Sequence, residues 1–249
     1  MKELDNIEKI LIVSPSSLIK KFNKDFFDKK REDGYYVLAF SCSILHMYDI
    51  NFIPDGWSFI DPSTWINCLK DEILEFMQNK ADLIILDLYH NNGENFIKNK
   101  LTSKHIPLNQ NILDNFTQFK NIFSKKNSKV IEIGSNSNVE SSIDWKEHLS
   151  LYIGDEINKK NRSIRKKKTR HNIDKLACFL LPMVVHYMRN LKEIAALCFW
   201  DFKSDRLHNK KSTGYNHYLR SIKMMAPEIK ENLLQSKIDF VNIGGQQLI

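Results

Sequence analysis

The sequence predicts an α/β protein with a mostly parallel sheet covered by helices on both faces, and three observations lead there. Short continuous apolar runs of strand length recur along the chain. Segments with helical spacing of apolar residues separate them. The runs tend to end in small, polar or acidic residues. Strands buried on both faces read as unbroken hydrophobic runs rather than alternating ones, and helices fed between parallel strands cover those faces.

Taken in order, residues 8–13 (EKILIV) form a first strand, followed by a turn at 14–17 and a helix over 18–29. Residues 35–40 (YYVLAF) are a second buried strand and 56–60 a short third, ending at Asp61 and Pro62. Trp65, Leu69, Ile73, Leu74 and Met77 lie near helical spacing within 64–79, after a Ser63 or Thr64 cap. Residues 81–88 (ADLIILDL) are the clearest buried strand, with a polar turn at 90–95. Residues 109–125 read as helix plus loop, 129–133 (KVIEI) as a strand and 134–138 as its turn. An apolar helix over 174–189 leads to a strand at 193–200 (EIAALCFW), and a helix over 217–234 leads to the closing strand at 237–243 (KIDFVNI). No internal repeat is visible, and one domain spanning 1–249 accounts for the pattern.

At 249 residues the chain is long enough to bury a sizeable core. Hydrophobic residues make up 42% and charged residues 27%, with only 6 Pro and 8 Gly, which excludes a largely disordered chain. Four cysteines (Cys42, Cys68, Cys178, Cys198) form no CxxC pair, as expected of free thiols in a reducing compartment. No signal peptide opens the chain, and the most apolar stretch, 176–185, is interrupted by Pro182 and too short to span a bilayer. A soluble, cytoplasmic protein is expected.

The formal net charge is +7, and it has one main source. The run from Lys159 to Arg170 (KKNRSIRKKKTR) carries eight positive charges in twelve residues, within a basic loop at 157–170. Such a run is either a solvated loop or a surface for an anionic partner: nucleic acid, an anionic membrane face or an acidic substrate.

In sheets of this kind ligands bind outside the carboxyl ends of the strands. Here those ends carry residues 14–17, 41–43, 61–63, 89–92, 134–138 and 201–203, most of them small, polar or acidic. The sequence holds no GxGxxG, GxxxxGK[ST], GxSxG or HExxH motif, no Cys/His zinc pattern and no DxD pair. Metal-clamped diphosphate chemistry is therefore not signalled, and no metal site is expected.

Three segments together carry a family resemblance: ILIVSPSSL at 10–18, YYVLAFSCSILHMYDINFIPDGWSFIDP at 35–62, and 172–201, which runs through an apolar helix into LKEIAALCFWDF (191–202), with KIDFVNIGGQQLI closing the chain. Their order resembles the bacterial sialyltransferases of the Campylobacter type and the related flagellin-modifying motility accessory factor proteins. That family combines a Rossmann-like nucleotide-sugar fold with a small-residue turn after the first strand, a "PD…D/N-P" stretch and a late "KEIxLxGxDF" strand. Two features differ. Ser14-Pro15-Ser16-Ser17-Leu18 stands where the family has Asn-Gly-Pro-Ser-Leu, and the lid-like segment at 203–217 is shorter than the family's.

The resemblance implies a glycosyltransferase that needs no cofactor and takes a CMP-sugar donor as substrate. Ser14, Ser16 and Ser17 would line the nucleotide phosphate, although serines there also serve as turn formers and helix caps. Ser43, Asp61 and Ser63 would sit on the nucleotide or donor sugar. Residues 169–172, ending in Asn172, would start the helix that approaches the donor. Lys203, which stands where the family has a tyrosine, would stabilise the leaving nucleotide with Lys210, Lys211 and Tyr215 as cations and a hydroxyl, and Asp201 would be a further donor-binding residue. His217, in the polar stretch STGYNHYLR, is the expected general base, with His208 as its rival.

The implied partners are a nucleotide-sugar donor, a surface-glycan acceptor of lipopolysaccharide or capsule type, and an anionic membrane face meeting Lys159 to Arg170. At the inner leaflet each Lys or Arg near the surface is worth about 1 kcal/mol. A homo-oligomer stays open. Two other readings also stand. A nucleic-acid-binding module would use the same basic run, which lacks aromatics for base stacking. A pterin diphosphokinase-like enzyme would need carboxylates for magnesium, with Asp61 and Asp201 as candidates.

Overall fold

The computed structural model describes residues 4–59, 68, 71–78, 83–88, 129–134, 181, 184, 188–199, 230, 231 and 233–245. Seven strands cross it: β1 (Lys9–Val13), β2 (Tyr35–Phe40), β3 (Gly56–Phe59), β4 (Leu83–Leu88), β5 (Lys129–Gly134), β6 (Glu193–Phe199) and β7 (Asp239–Gly245). They form one sheet in the order β5-β4-β3-β2-β1-β6-β7. Every pairing is parallel. The α/β architecture with a parallel sheet is thus present.

The order carries a functional consequence. From β1 the chain steps outward through β2, β3, β4 and β5, then returns to the other side of β1 for β6 and β7. Strand order therefore reverses between β1 and β6, the switch point beside which open parallel sheets hold their ligands.

Both faces of the sheet centre are buried. Leu11, Val13, Val37, Ala39, Trp57, Ala195 and Leu197 belong to one apolar cluster with Phe27, Ile44, Met47, Ile73 and Met77. Those partners come from three helices: α1 (Lys24–Glu32), α2 (Ser43–Asp49) and α3 (Asp71–Gln78). The alternate residues Ile10, Ile12, Tyr36, Leu38, Ile194 and Ala196 are also buried, which explains why these strands read as unbroken apolar runs. Burying each Leu, Ile, Val or Phe contributes roughly 1.5–3 kcal/mol.

Two expectations need correction, and one helix was not expected. The helix expected over 18–29 is two elements, a 3-10 helix at Ser17–Lys21 and then α1. Asn23 divides them, because its extended backbone lets its side chain accept the Phe26 N–H and cap a new helix. Helix α2 went unanticipated, since seven residues without a side-chain cap give little periodic signal. The last strand starts at Asp239 and not at 237. Lys237 instead takes the left-handed conformation (φ 57) that ends the preceding helix, whose residues include Leu233–Gln235. The Lys237 N–H donates to the Leu234 carbonyl and the Ile238 N–H to that of Leu233, the paired bonds of a helix C-terminal motif.

Helix α1 ends similarly at Gly34 (φ 91), where a side chain would meet open space but a strained backbone. Of the other expected segments, 90–95, 109–125, 134–138 beyond Gly134 and the basic loop at 157–170 lie outside the described residues. Leu181 and Val184, from the helix expected over 174–189, are helical and buried.

At the amino ends of the strands, Lys9 pairs in register with Tyr35 on one side and Glu193 on the other. The Tyr35 hydroxyl donates to the Glu193 carboxylate, and the Lys9 and Lys30 ammonium groups lie 5.4 and 4.7 Å from its ring centroid. Burial pushes the Tyr35 phenol up to about 12, and the hydrogen bond to Glu193 and the charges of Glu193 and Asp33 act in the same direction. An unfolded chain releases that proton near pH 10. Between about pH 10 and 12 the folded chain therefore holds a proton that the unfolded chain has lost. The stabilisation is complete below about pH 10 and is lost as pH rises toward 12. Urea midpoints should fall more steeply over this interval for the wild type than for Tyr35→Phe, by roughly 1–2 kcal/mol in stability.

Candidate functional site

The switch point brings together the turns after β1 and β2 and the carboxyl end of β6. After β1, the Ser14 N–H donates to the Leu197 carbonyl at 3.1 Å, extending the ladder to β6 by one residue. The Ser14 hydroxyl donates to the Cys198 carbonyl at 2.7 Å and accepts the Ser16 N–H at 3.3 Å. One side chain thus ties β1 to β6 and folds the turn back. The Ser16 hydroxyl accepts the Leu18 N–H at 3.1 Å and caps the 3-10 helix. Ser14 and Ser16 are buried, and Ser17 is half-buried.

After β2 the chain turns at Ser41, whose φ of 54 lies in the left-handed region. The Ser41 N–H donates to the Ser58 carbonyl at 2.6 Å, and the Ser41 carbonyl accepts the Trp57 indole N–H at 3.0 Å. Ser43 then opens α2. Its hydroxyl, like that of Ser58, is fully buried and finds no hydrogen-bond partner among the described residues. Such a group costs roughly 1–3 kcal/mol, so each needs an explanation.

At the end of β6, Cys198 also has a left-handed φ of 54, level with Gly244 of β7 at φ 66. A Cβ on Gly244 would lie 3.5 Å from the Cys198 Sγ, so the two strands kink together at the crevice. The strained positions Ser41 and Cys198 therefore flank the Ser14 turn on both sides. Strain of this kind, about 1–3 kcal/mol per residue, gathers where a backbone is shaped for binding.

Of the residues expected in the site, Ser14, Ser16 and Ser17 lie in the turn after β1 and Ser43 in the turn after β2, with Ser14, Ser16 and Ser43 buried. Asp61, Ser63, Asn172, Asp201, Lys203, His208, Lys210, Lys211, Tyr215 and His217 lie outside the described residues. Three residues were missed as contributors: Trp57, Ser58 and Cys198. The signal for Ser58 was present, because a serine beside a tryptophan in a short buried strand (GWSF) breaks the apolar run. Nothing in the sequence marks the left-handed Cys198.

The "PD" half of the stretch that carries the family resemblance lies at the opposite end of the sheet. The Asp55 N–H donates to the Val37 carbonyl at 2.9 Å, and its carboxylate accepts the Val37 N–H at 2.8 Å. Arg31 pairs with that carboxylate at 3.2 Å, donates to the Ile53 carbonyl at 2.6 Å and lies 4.4 Å from the Phe52 ring centroid. Tyr36 donates its hydroxyl to the Asp55 carbonyl at 2.8 Å. Asp55 therefore fastens the start of β3 to β2.

The described cysteines Cys42, Cys68 and Cys198 are free and buried. Among the described residues no group of three or more His, Cys, Asp or Glu could hold a metal ion, and no helix is long and apolar enough to cross a membrane. No protein-family model matches the chain, and no curated protein sequence matches it, so its residues and fold carry the functional argument.

Proposed function

We propose that the chain is a glycosyltransferase with a Rossmann-like nucleotide-sugar site. It transfers a sialic-acid-like sugar from a CMP-activated donor to a surface-glycan acceptor, with inversion and without a metal. The observation that carries this reading is the reversal of strand order beside the Ser14–Ser17 and Ser41–Ser43 turns. A crevice at such a reversal, lined by short hydroxyl side chains that let backbone and ligand approach closely, suits a nucleotide. The order of the SPSSL, PD…DP and KEIAALCFWDF segments supports the donor class.

In the proposed reaction the acceptor hydroxyl attacks the anomeric carbon as His217 removes its proton, and CMP leaves from the opposite face. Asn172, Asp201, Lys203 and Tyr215 serve the donor, and the run from Lys159 to Arg170 faces an anionic acceptor or leaflet at the inner side of the membrane.

CMP should raise the melting temperature more than UDP, GDP or ATP does, with no metal added. At a hundredfold excess over Kd a bound nucleotide stabilises by about 2.7 kcal/mol. A shift from UDP that appears only with manganese would contradict the metal-free reading, and a response to nucleic acid alone would favour a binding module.

A further inference from the structure

Among the described residues, Trp57 is the largest of the fully buried side chains. A phenylalanine would offer the core a ring without a polar atom, yet this residue brings an indole N–H and uses it on Ser41, sixteen positions back, at 3.0 Å. Ser41 is the residue where β2 gives way to the site turn, and its backbone is left-handed without being glycine. Its peptide groups are held by consecutive residues of β3, the N–H by the Ser58 carbonyl and the carbonyl by Trp57.

Two residues later stands the unpartnered Ser43 hydroxyl. Strain at 41 and an unsatisfied hydroxyl at 43 both work against stability. Glycine and alanine would remove them at little cost, so their presence in one turn at the switch crevice points to binding.

We propose that Trp57 is a positioning residue: its indole N–H fixes the strained Ser41 peptide and so sets the turn from which Ser43 hydrogen-bonds the bound nucleotide. This rests on the nucleotide-binding reading of the crevice and extends it to a residue that does not touch the ligand.

The test compares Trp57→Phe, Ser43→Ala and Phe27→Leu, the last a core change in α1 whose ring meets His46 and Phe52. CMP affinity is measured by calorimetry well below every melting point, and amide exchange is followed at Ser41. Trp57→Phe should raise the CMP Kd about tenfold and speed Ser41 exchange by a similar factor. Phe27→Leu should lower the melting temperature while holding Kd within about twofold. Ser43→Ala should also raise Kd about tenfold, with a melting temperature equal to or above the wild type's. An unchanged Kd in Trp57→Phe, or in Ser43→Ala, would overturn the inference and leave nucleotide binding intact. A wild type that binds no CMP would overturn both.

Discussion

Asp55→Ala should cost about 2–3 kcal/mol of stability, although the residue is far from the crevice. The larger share comes from the Val37 N–H, which lies on a fully buried residue and loses its acceptor at 2.8 Å; an orphaned buried donor costs roughly 1–3 kcal/mol. The ion pair with Arg31 adds less, since its side chains are 38% and 26% exposed and solvent screens it to under about 1 kcal/mol. Asp55→Asn keeps an acceptor for Val37 and should lose only that smaller part. Urea unfolding at constant m-value separates the two variants. Equal losses would show that the ion pair, and not the strand-like bond to Val37, holds β3 in place.

His217→Ala should lower turnover by roughly 10²–10⁴-fold, the usual range for a general base. Nucleotide affinity should barely move, because a base meets the acceptor and not the donor phosphate. Stability should hold as well, since the surrounding STGYNHYLR is polar. His208→Ala is the matched control and should keep most activity. The reverse pattern keeps the enzyme class and moves the base to His208. If neither substitution matters, the mechanism fails and Asp61 and Asp201 become the suspects.

The core of the fold was legible because double burial writes itself into sequence as unbroken apolar runs. YYVLAF coincides with β2 to the residue, and EIAALCF with β6 over the described residues, which leave out Trp200. What stayed hidden depended on local competition or on distance. Asn23 splits one apparent helix because a cap can outcompete a weak continuation, and SILHMYD is too short to show a period. The position of the Ser14 and Ser41 turns was readable from strand ends. The direction of the Ser14 hydroxyl, spent on a carbonyl 184 residues away, was not. Nor could the sequence tell that the aspartate of "PD" would serve the amino end of β3 and not the site, because that depends on Arg31 and Val37 in other elements.

The most direct measurement is hydrogen exchange across the chain with and without saturating CMP. Binding at the switch point predicts slowed exchange in residues 14–18 and 41–45, with little change at the opposite end of the sheet in 35–37 and 53–55. Protection confined to that opposite end, or CMP binding that leaves both site turns unprotected, would contradict the assignment of the nucleotide to this crevice.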